Sequence, residues 1–298
     1  MKASAGSPAP AAPDRASAVK QLCRQYQLVP SKGLGQNFLV DPRAAARLVE
    51  ALHLAPRETV VEIGAGFGAL TAALVERGVT VIAVERDRRL GRALRDRFGD
   101  RPDLRLVVDD ILRVDWAAFG DGPFVVAGNL PYVITSPVLD RLVRHRARVR
   151  RAVLTVQREL AERMAAAPGG KTFGALTCFV QCFFVPTLVA EISPKAFWPQ
   201  PAVTSAILSL APRVPPAASD DDLEPMTAVV QALFQRRRKT VLNGLLHPAL
   251  SLTRDRALAL LQEVGLDPGA RPETLAVPSF VALGRAWRRT LPREGHHD

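Results

Sequence analysis

Thr59-Val60-Val61-Glu62-Ile63-Gly64-Ala65-Gly66-Phe67-Gly68-Ala69-Leu70-Thr71 is the stretch on which the fold turns. Its first five residues are mostly apolar and β-branched and read as a buried strand. The glycines that follow read as a tight turn, and a helix is expected from there to about Arg77. Strand, glycine turn and helix in this order open a nucleotide-binding α/β sheet. Gly64 and Gly66 lack a Cβ, so backbone and ligand can touch there, with the helix N-terminus facing the ligand. Val79 to Val84 is a second strand, closed by Glu85, which lies 21 positions after Gly64. That spacing sets a carboxylate at the second strand's tip, where it can hold ribose hydroxyls. Gly64-x-Gly66-x-x-Ala69 also fits the dinucleotide pattern, so the turn alone does not separate a nicotinamide cofactor from S-adenosylmethionine. Glu62 leans toward the latter, because a carboxylate sits poorly beside a pyrophosphate and well beside a cation.

Further along, Leu104 to Val108 is a third strand followed by Asp109-Asp110. A carboxylate there can accept from an adenine amine, or cap a helix. Phe124-Val125-Val126-Ala127-Gly128 is a fourth strand and ends in Asn129-Leu130-Pro131-Tyr132. Ligands of open α/β sheets bind beyond the strands' carboxyl ends, so this tetrapeptide belongs at the mouth of a site. An adenine exocyclic amine is a poor nucleophile because its lone pair is delocalised into the ring. The amide oxygen of Asn129 can accept one of its N–H groups, and a carbonyl from Leu130 or Pro131 the other. Together they aim the lone pair at an electrophile. Pro131 stiffens the turn, and Tyr132 offers a face for stacking a base. Read in isolation, the same four residues make an ordinary strand-end turn.

The chain has 298 residues, room for one large and one small domain, and an apolar content of 48% supports a real core. No run of 18 apolar residues occurs, so no membrane span is expected. Met1 to Ala18 is rich in Ala, Pro and Ser and lacks the pattern of a signal peptide; it reads as a disordered tail. Net charge is +11, which favours a polyanionic partner, nucleic acid first. Cys23, Cys178 and Cys182 are too few for a disulfide framework, and Cys178 and Cys182 sit among apolar residues as small hydrophobes. No metal site is expected.

Two segments concentrate the basic charge. Six arginines lie between Arg141 and Arg151, Arg144 and Arg148 among them. They read as a phosphate-contacting edge or as a solvated face. Arg236-Arg237-Arg238-Lys239 are four consecutive cations inside an expected helix, Leu223 to Leu246. Between these segments, Val153 to Gln157, Ala175 to Phe184, Thr187 to Ile192 and Val203 to Leu210 read as strands, and Arg158 to Ala165 as a helix. Phe197-Trp198 stands in a proline-stiffened loop as an exposed-looking pair on which a flipped base could stack. Pro212 to Asp222 is a linker by composition. The expected organisation is a tail to residue 18, a first domain over 19–212, a helical RNA-binding domain over 213–291 and a tail over 292–298.

Five motifs in register carry a resemblance: Gly35-Gln36-Asn37-Phe38-Leu39; Glu62 to Thr71; Asn129 to Tyr132; Phe197-Trp198-Pro199-Gln200-Pro201-Ala202-Val203; and Phe234-Gln235-Arg236-Arg237-Arg238-Lys239-Thr240. The series resembles the KsgA/RsmA family of rRNA adenine dimethyltransferases over about residues 20 to 290. The resemblance implies an α/β fold: a Rossmann-like S-adenosylmethionine-dependent methyltransferase domain with a small all-helical C-terminal domain. It also implies dimethylation of two adjacent adenines near the 3′ end of small-subunit rRNA, in an immature 30S particle in the cytoplasm. By position, Asn37, Leu39, Gly64, Glu85, Asp110 and Asn129 match cofactor-contacting places, with Gly66 in the same turn. Asn129, Leu130, Pro131 and Tyr132 match the catalytic motif, and Phe197 the adenine-stacking aromatic. The sequence departs at Val133, where Asn is frequent, at Ala65, where Pro is common, and at the bulky Trp198. A monomer is expected, since no apolar stripe marks a dimer face. The alternatives are an Erm-type large-subunit rRNA methyltransferase, which Phe234 to Thr240 argues against, and a DNA adenine methyltransferase, which Leu130 disfavours. Two others differ in class. A NAD-dependent oxidoreductase leaves Asn129 to Tyr132 unexplained, and intact motifs disfavour a purely non-catalytic RNA-binding factor.

Overall fold

A computed structural model describes residues 15–31, 33, 35–236 and 238–291. Its centre is a seven-stranded sheet. In chain order the strands are β1 (Phe38–Leu39), β2 (Thr59–Ile63), β3 (Thr80–Val84), β4 (Leu104–Val107), β5 (Phe124–Asn129), β6 (Val149–Gln157), β7 (Phe184–Ile192), β8 (Phe197–Trp198) and β9 (Ser205–Pro212). The large sheet runs β4-β3-β2-β5-β6-β9-β7, and β1 and β8 form a separate two-stranded ladder. From β4 to β6 the neighbours are parallel, while β9 is antiparallel to both β6 and β7. The order reverses between β2 and β5, which makes their carboxyl ends the switch point where ligands of such sheets bind.

Alternation along the strands builds two cores, one per face. Val60, Val81, Val125 and Val153 enter one, with Leu48, Leu70 and Leu74 of the helices α2 (Pro42–Ala51) and α3 (Ala69–Val75). Val61, Ile82, Val126 and Leu154 enter the other. Both faces are covered, so these strands are mainly apolar, as buried parallel strands are, with Glu62 the buried exception in β2. Asp41 caps α2, its Oδ1 accepting the Arg43 N–H at 3.0 Å, with Pro42 at the first helical position.

The remaining helices are α1 (Arg15–Gln25), α4 (Arg88–Phe98), α5 (Thr135–Arg144), α6 (Arg158–Met164), α7 (Ala175–Phe183), α8 (Asp220–Gln235), α9 (Val241–Leu245), α10 (Arg254–Glu263) and α11 (Val277–Arg288). Several placements differ from the sequence reading. Helix α8 takes up Asp220 to Asp222, the end of the segment expected to be linker. Helix α1 begins at Arg15, inside the segment expected to be tail; residues 1–14 and 292–298 lie outside the described residues. Ala175 to Phe183 is a helix, not a strand. It is apolar on most sides because it is packed on most sides, with Thr177, Cys178, Val180, Cys182 and Phe183 all buried, and a short run of that kind has no period to separate strand from helix. The cations after Phe234 do not continue a helix. Arg236 leaves α8 with φ −115° and ψ 39°, the Lys239 N–H bonds the Arg236 carbonyl, and Thr240 caps α9, so Arg236, Arg238 and Lys239 stand in a turn. Arg237 lies outside the described residues.

The C-terminal helices share the core of one sheet face. Met226, Leu233, Phe280 and Leu283 belong to the same buried cluster as Val126 and Leu154. Phe173 packs against Phe234 and Phe280, with ring centroids 6.2 and 6.4 Å away. Asp222 is buried at the start of α8 and takes a two-pronged bond from Arg285 of α11 at 2.6 and 2.7 Å, which holds its carboxyl well below the usual carboxylate range. Arg146, just after α5, reaches Asp220 at 2.7 Å and lies over the Phe183 ring, tying the start of α8 to the edge where β6 begins.

Candidate active site

A cavity of about 380 Å³ opens at the carboxyl ends of β2, β3, β4 and β5. Asn37, Leu39, Gly64, Gly66, Glu85, Asp110 and Asn129, seven residues drawn from five separate parts of the sequence, all line it. The glycine turn forms one wall. Gly64 and Gly66 have φ of +75° and +59°, a region costly for residues with a Cβ, and a Cβ on Gly66 would come within 3.3 Å of the Phe38 ring. Glu85 is buried at the tip of β3; one carboxylate oxygen accepts the Gly66 N–H at 2.8 Å and the other the Asp87 N–H at 2.9 Å. Each oxygen keeps a lone pair for a ligand hydroxyl. Burial pushes the Glu85 carboxyl up, against the pull of those N–H bonds. Asp110 accepts the Leu112 N–H at 3.0 Å and faces Arg86 at 3.6 Å. It thus serves as a local cap and still lines the cavity, as does Asp109.

Glu62 lies on the cavity floor, 1% exposed, with the Thr71 hydroxyl donating to it at 2.6 Å. Desolvation raises its carboxyl to about 7. A buried acid so placed favours a cationic ligand, because a positive neighbour returns part of what the carboxylate lost in leaving water.

Asn129 ends β5, with Thr155 of β6 as its register partner. Its Nδ2 donates to the carbonyl of Asn37 at 2.9 Å. Only the amide nitrogen can make that bond, so the orientation is fixed and Oδ1 is turned away as an acceptor. Pro131's carbonyl already accepts the Ile134 N–H at 3.0 Å, whereas no bond to Leu130's carbonyl is found among the described residues. Of the two carbonyls the sequence left open, Leu130's is the one with no bond among the described residues, although Pro131 lines the cavity and Leu130 and Tyr132 do not. Tyr132 is half-buried, and its hydroxyl shares a 2.7 Å hydrogen bond with Ser205 at the start of β9. Burial raises this phenol, and the bond to Ser205 partly offsets the rise.

Some expectations do not hold in this geometry. Phe197 and Trp198 are not an exposed pair. Phe197 pairs with Leu39 across the β1–β8 ladder and is 2% exposed, and Trp198 is half-buried opposite Phe38. Neither lines the cavity. Arg148 is not available to RNA: its guanidinium donates to the carbonyls of Trp116 at 3.2 Å and of Gly120, and lies 5.4 Å over the Phe124 ring. Arg141 bonds the Val114 carbonyl, Arg146 bonds Asp220 and Arg150 bonds Glu58. Arg144 is exposed but paired with Asp140 at 2.7 Å. Moreover, Val149 pairs with Phe124 at the start of β5, so this arginine cluster stands at the edge of the sheet opposite the cavity. Ile111 and Ile134 line the cavity and were not singled out from the sequence, nor was Ser205. No spacing links Ser205 to Tyr132, 73 residues away.

A doubly covered, mostly parallel sheet with a glycine-lined cavity at its switch point and a carboxylate at the second strand's tip defines the class of nucleotide-cofactor enzymes, and the buried Glu62 below favours a cationic cofactor over a pyrophosphate within it. The chain belongs to the family described as ribosomal RNA adenine dimethylase, whose model matches residues 30–281. It is 40% identical over 274 residues to the ribosomal RNA small subunit methyltransferase A of Moorella thermoacetica, covering 89% of this chain and 94% of that one. Among solved structures, a dimethyladenosine transferase from Plasmodium falciparum shares the fold with a TM-score of 0.73 at 24% identity, over 83% of this chain and 95% of the other. The 23S rRNA methyltransferase ErmE is similar with a TM-score of 0.66 at 28% identity, over 85% of this chain and all of that one. The chain is an S-adenosylmethionine-dependent rRNA methyltransferase. No described helix is long and apolar enough to cross a membrane, and no cluster of metal-ligating side chains occurs among the described residues.

Proposed function

We propose that the protein transfers methyl groups to N6 of two adjacent adenines near the 3′ end of small-subunit rRNA, acting as a monomer on an immature 30S particle in the cytoplasm. The observation that carries this reading is the Asn129 amide. Its nitrogen is tied to the Asn37 carbonyl, which leaves its oxygen as an acceptor at the mouth of the cavity. Similarity at 40% identity to a small-subunit enzyme favours this target over the large subunit.

The cavity suits the methyl donor on chemical grounds. Glu85 offers acceptors to ribose hydroxyls, Asp110 to an adenine amine, and Glu62 a buried negative charge to a cation. Bound S-adenosylmethionine supplies a methyl group already activated on a positive sulfur. Asn129 Oδ1 and the Leu130 carbonyl accept the two N–H groups of the target amine and orient its lone pair, so the chain contributes positioning and fixed acceptors. After one transfer a single N–H remains, and one of these acceptors loses its partner. Tyr132, held by Ser205, presents the stacking face. Phe197 joins it only if the β1–β8 ladder yields. The target base leaves its own stack at a cost of a few kcal/mol, less in a loop or near a helix end.

For phosphate contacts, the turn holding Arg236, Arg238 and Lys239 fits better than the arginines from 141 to 151. Helix α8 starts beside Arg146, at the edge away from the cavity, and its 16 residues carry the chain ~24 Å from there to this turn. The test is transfer of labelled methyl to immature 30S particles, naked rRNA and 50S particles in parallel, with nucleosides identified after digestion. Dimethyladenosine from 30S material, lost in Asn129→Ala while RNA binding persists, is expected. Label in large-subunit rRNA instead would move the protein to the Erm branch.

A further inference from the structure

A second cleft, of about 640 Å³, is lined in part by Val40 and Asp41, which follow β1 directly. Arg43 and Arg47 of α2, Lys195 and Arg15 line it, together with Asp41 and Glu191. Both acids are already engaged. Asp41 caps α2 and faces Arg15 at 3.6 Å, and Glu191 faces Arg158 at 3.4 Å. Arg43, Arg47 and Lys195 are exposed and make no ion pair among the described residues. Arg43 and Arg47 are four apart on one helix, so they repel each other on the same face. An anion between them would turn that mild repulsion into attraction.

The cleft is joined to the catalytic mouth through the chain itself. Phe38 and Leu39 of β1 line the cavity, and Val40 and Asp41, the next residues, line the cleft. The Val40 N–H bonds the Ala196 carbonyl at 2.8 Å, so Lys195 is locked beside α2. Two residues of extended chain from Leu39 to Asp41 span ~7 Å, so the lining of the cleft begins within that length of chain from the lining of the cavity. We infer that this cleft is an RNA phosphate-binding subsite, in which Arg43, Arg47 and Lys195 hold the backbone of the nucleotides adjoining the target adenine. The inference rests on the active-site reading above and adds a path for the substrate strand. It also gives the buried Phe197 a context, because the strand would cross the β1–β8 ladder.

The test compares the full-length protein with its Arg43→Gln/Arg47→Gln/Lys195→Gln variant and with Arg43→Lys/Arg47→Lys, which keeps the charge. Three readouts are taken: binding of S-adenosylmethionine, KM for immature 30S particles, and the slope of log affinity against log salt for a single-stranded RNA carrying the paired adenines. The neutral variant should bind S-adenosylmethionine normally, raise KM about tenfold and flatten the salt slope by about two, since each lost phosphate contact removes roughly 0.7–0.9. The lysine variant should stay near wild type. An active wild type whose KM and slope are unchanged in the neutral variant overturns the subsite. A raised KM with an unchanged RNA slope also overturns it, and assigns the cations to a protein on the particle. Failure of the wild type to methylate any RNA strikes the active-site reading itself, whatever the cleft does.

Discussion

Glu62 offers the sharpest check on the cavity. Its carboxyl titrates near 7 in the folded chain against an ordinary 4.5, which corresponds to ~3 kcal/mol of burial cost in the ionised form. Because the folded value is the higher one, the folded state binds the extra proton. Glu62 therefore contributes most stability below pH 4.5 and loses that contribution as pH rises through 7. Glu62→Gln keeps an acceptor for the Thr71 hydroxyl and has nothing to ionise. Urea unfolding of both ligand-free proteins from pH 5 to pH 8 should show wild type losing about 2.5 kcal/mol relative to the variant. Calorimetric titration of S-adenosylmethionine should show the reverse dependence: wild-type affinity rises up to tenfold per pH unit below 7 and levels off above, while the variant binds more weakly with little change. A stability difference that stays flat across this range would refute the reasoning, for it would mean the carboxylate is solvated and the cavity has no buried negative floor.

Arg148→Ala should destabilise the fold by about 2 kcal/mol, since the carbonyls it serves lose a charged donor, while Arg144→Ala should change stability by less than about 0.5; thermal unfolding of both separates a structural arginine from a solvated one. Replacing Arg236, Arg238 and Lys239 with Gln should reduce the salt slope of RNA binding by about two, and equilibrium binding at several salt concentrations reads this directly. Gly284→Ala should cost about 3 kcal/mol or more, because its Cβ would lie 2.6 Å from the Met226 backbone nitrogen where α11 crosses α8; a denaturation midpoint unchanged by the substitution would mean the helices separate freely.

The parallel strands were legible because residues buried on two faces stay apolar, and the glycine turn because few other sequences take its backbone angles. Once Thr59 to Ile63 and Phe124 to Gly128 are strands, Gly64 and Asn129 stand at their carboxyl ends, and the β2–β5 pairing brings the two together at the switch point. Ala175 to Phe183 was misread for the opposite reason, as burial on every side erased the helical period. Exposure at Phe197 was not legible either, since a proline-rich loop does not say whether it pairs with another segment, and here it pairs with Leu39.

The sequence by itself determined the parallel strands, the glycine turn and the family. These depend on local backbone preference and on chemistry carried by contiguous motifs. Tertiary structure decided which basic residues are spent on partners within the chain. Arg148 and Arg236 look alike as charges, but one guanidinium is spent on the carbonyls of a neighbouring loop and the other leaves the end of a helix beginning at the opposite edge. It decided the Asn129 orientation as well, through a carbonyl 92 residues away. Such partners are brought together by the packing of the whole chain, and no local pattern encodes them.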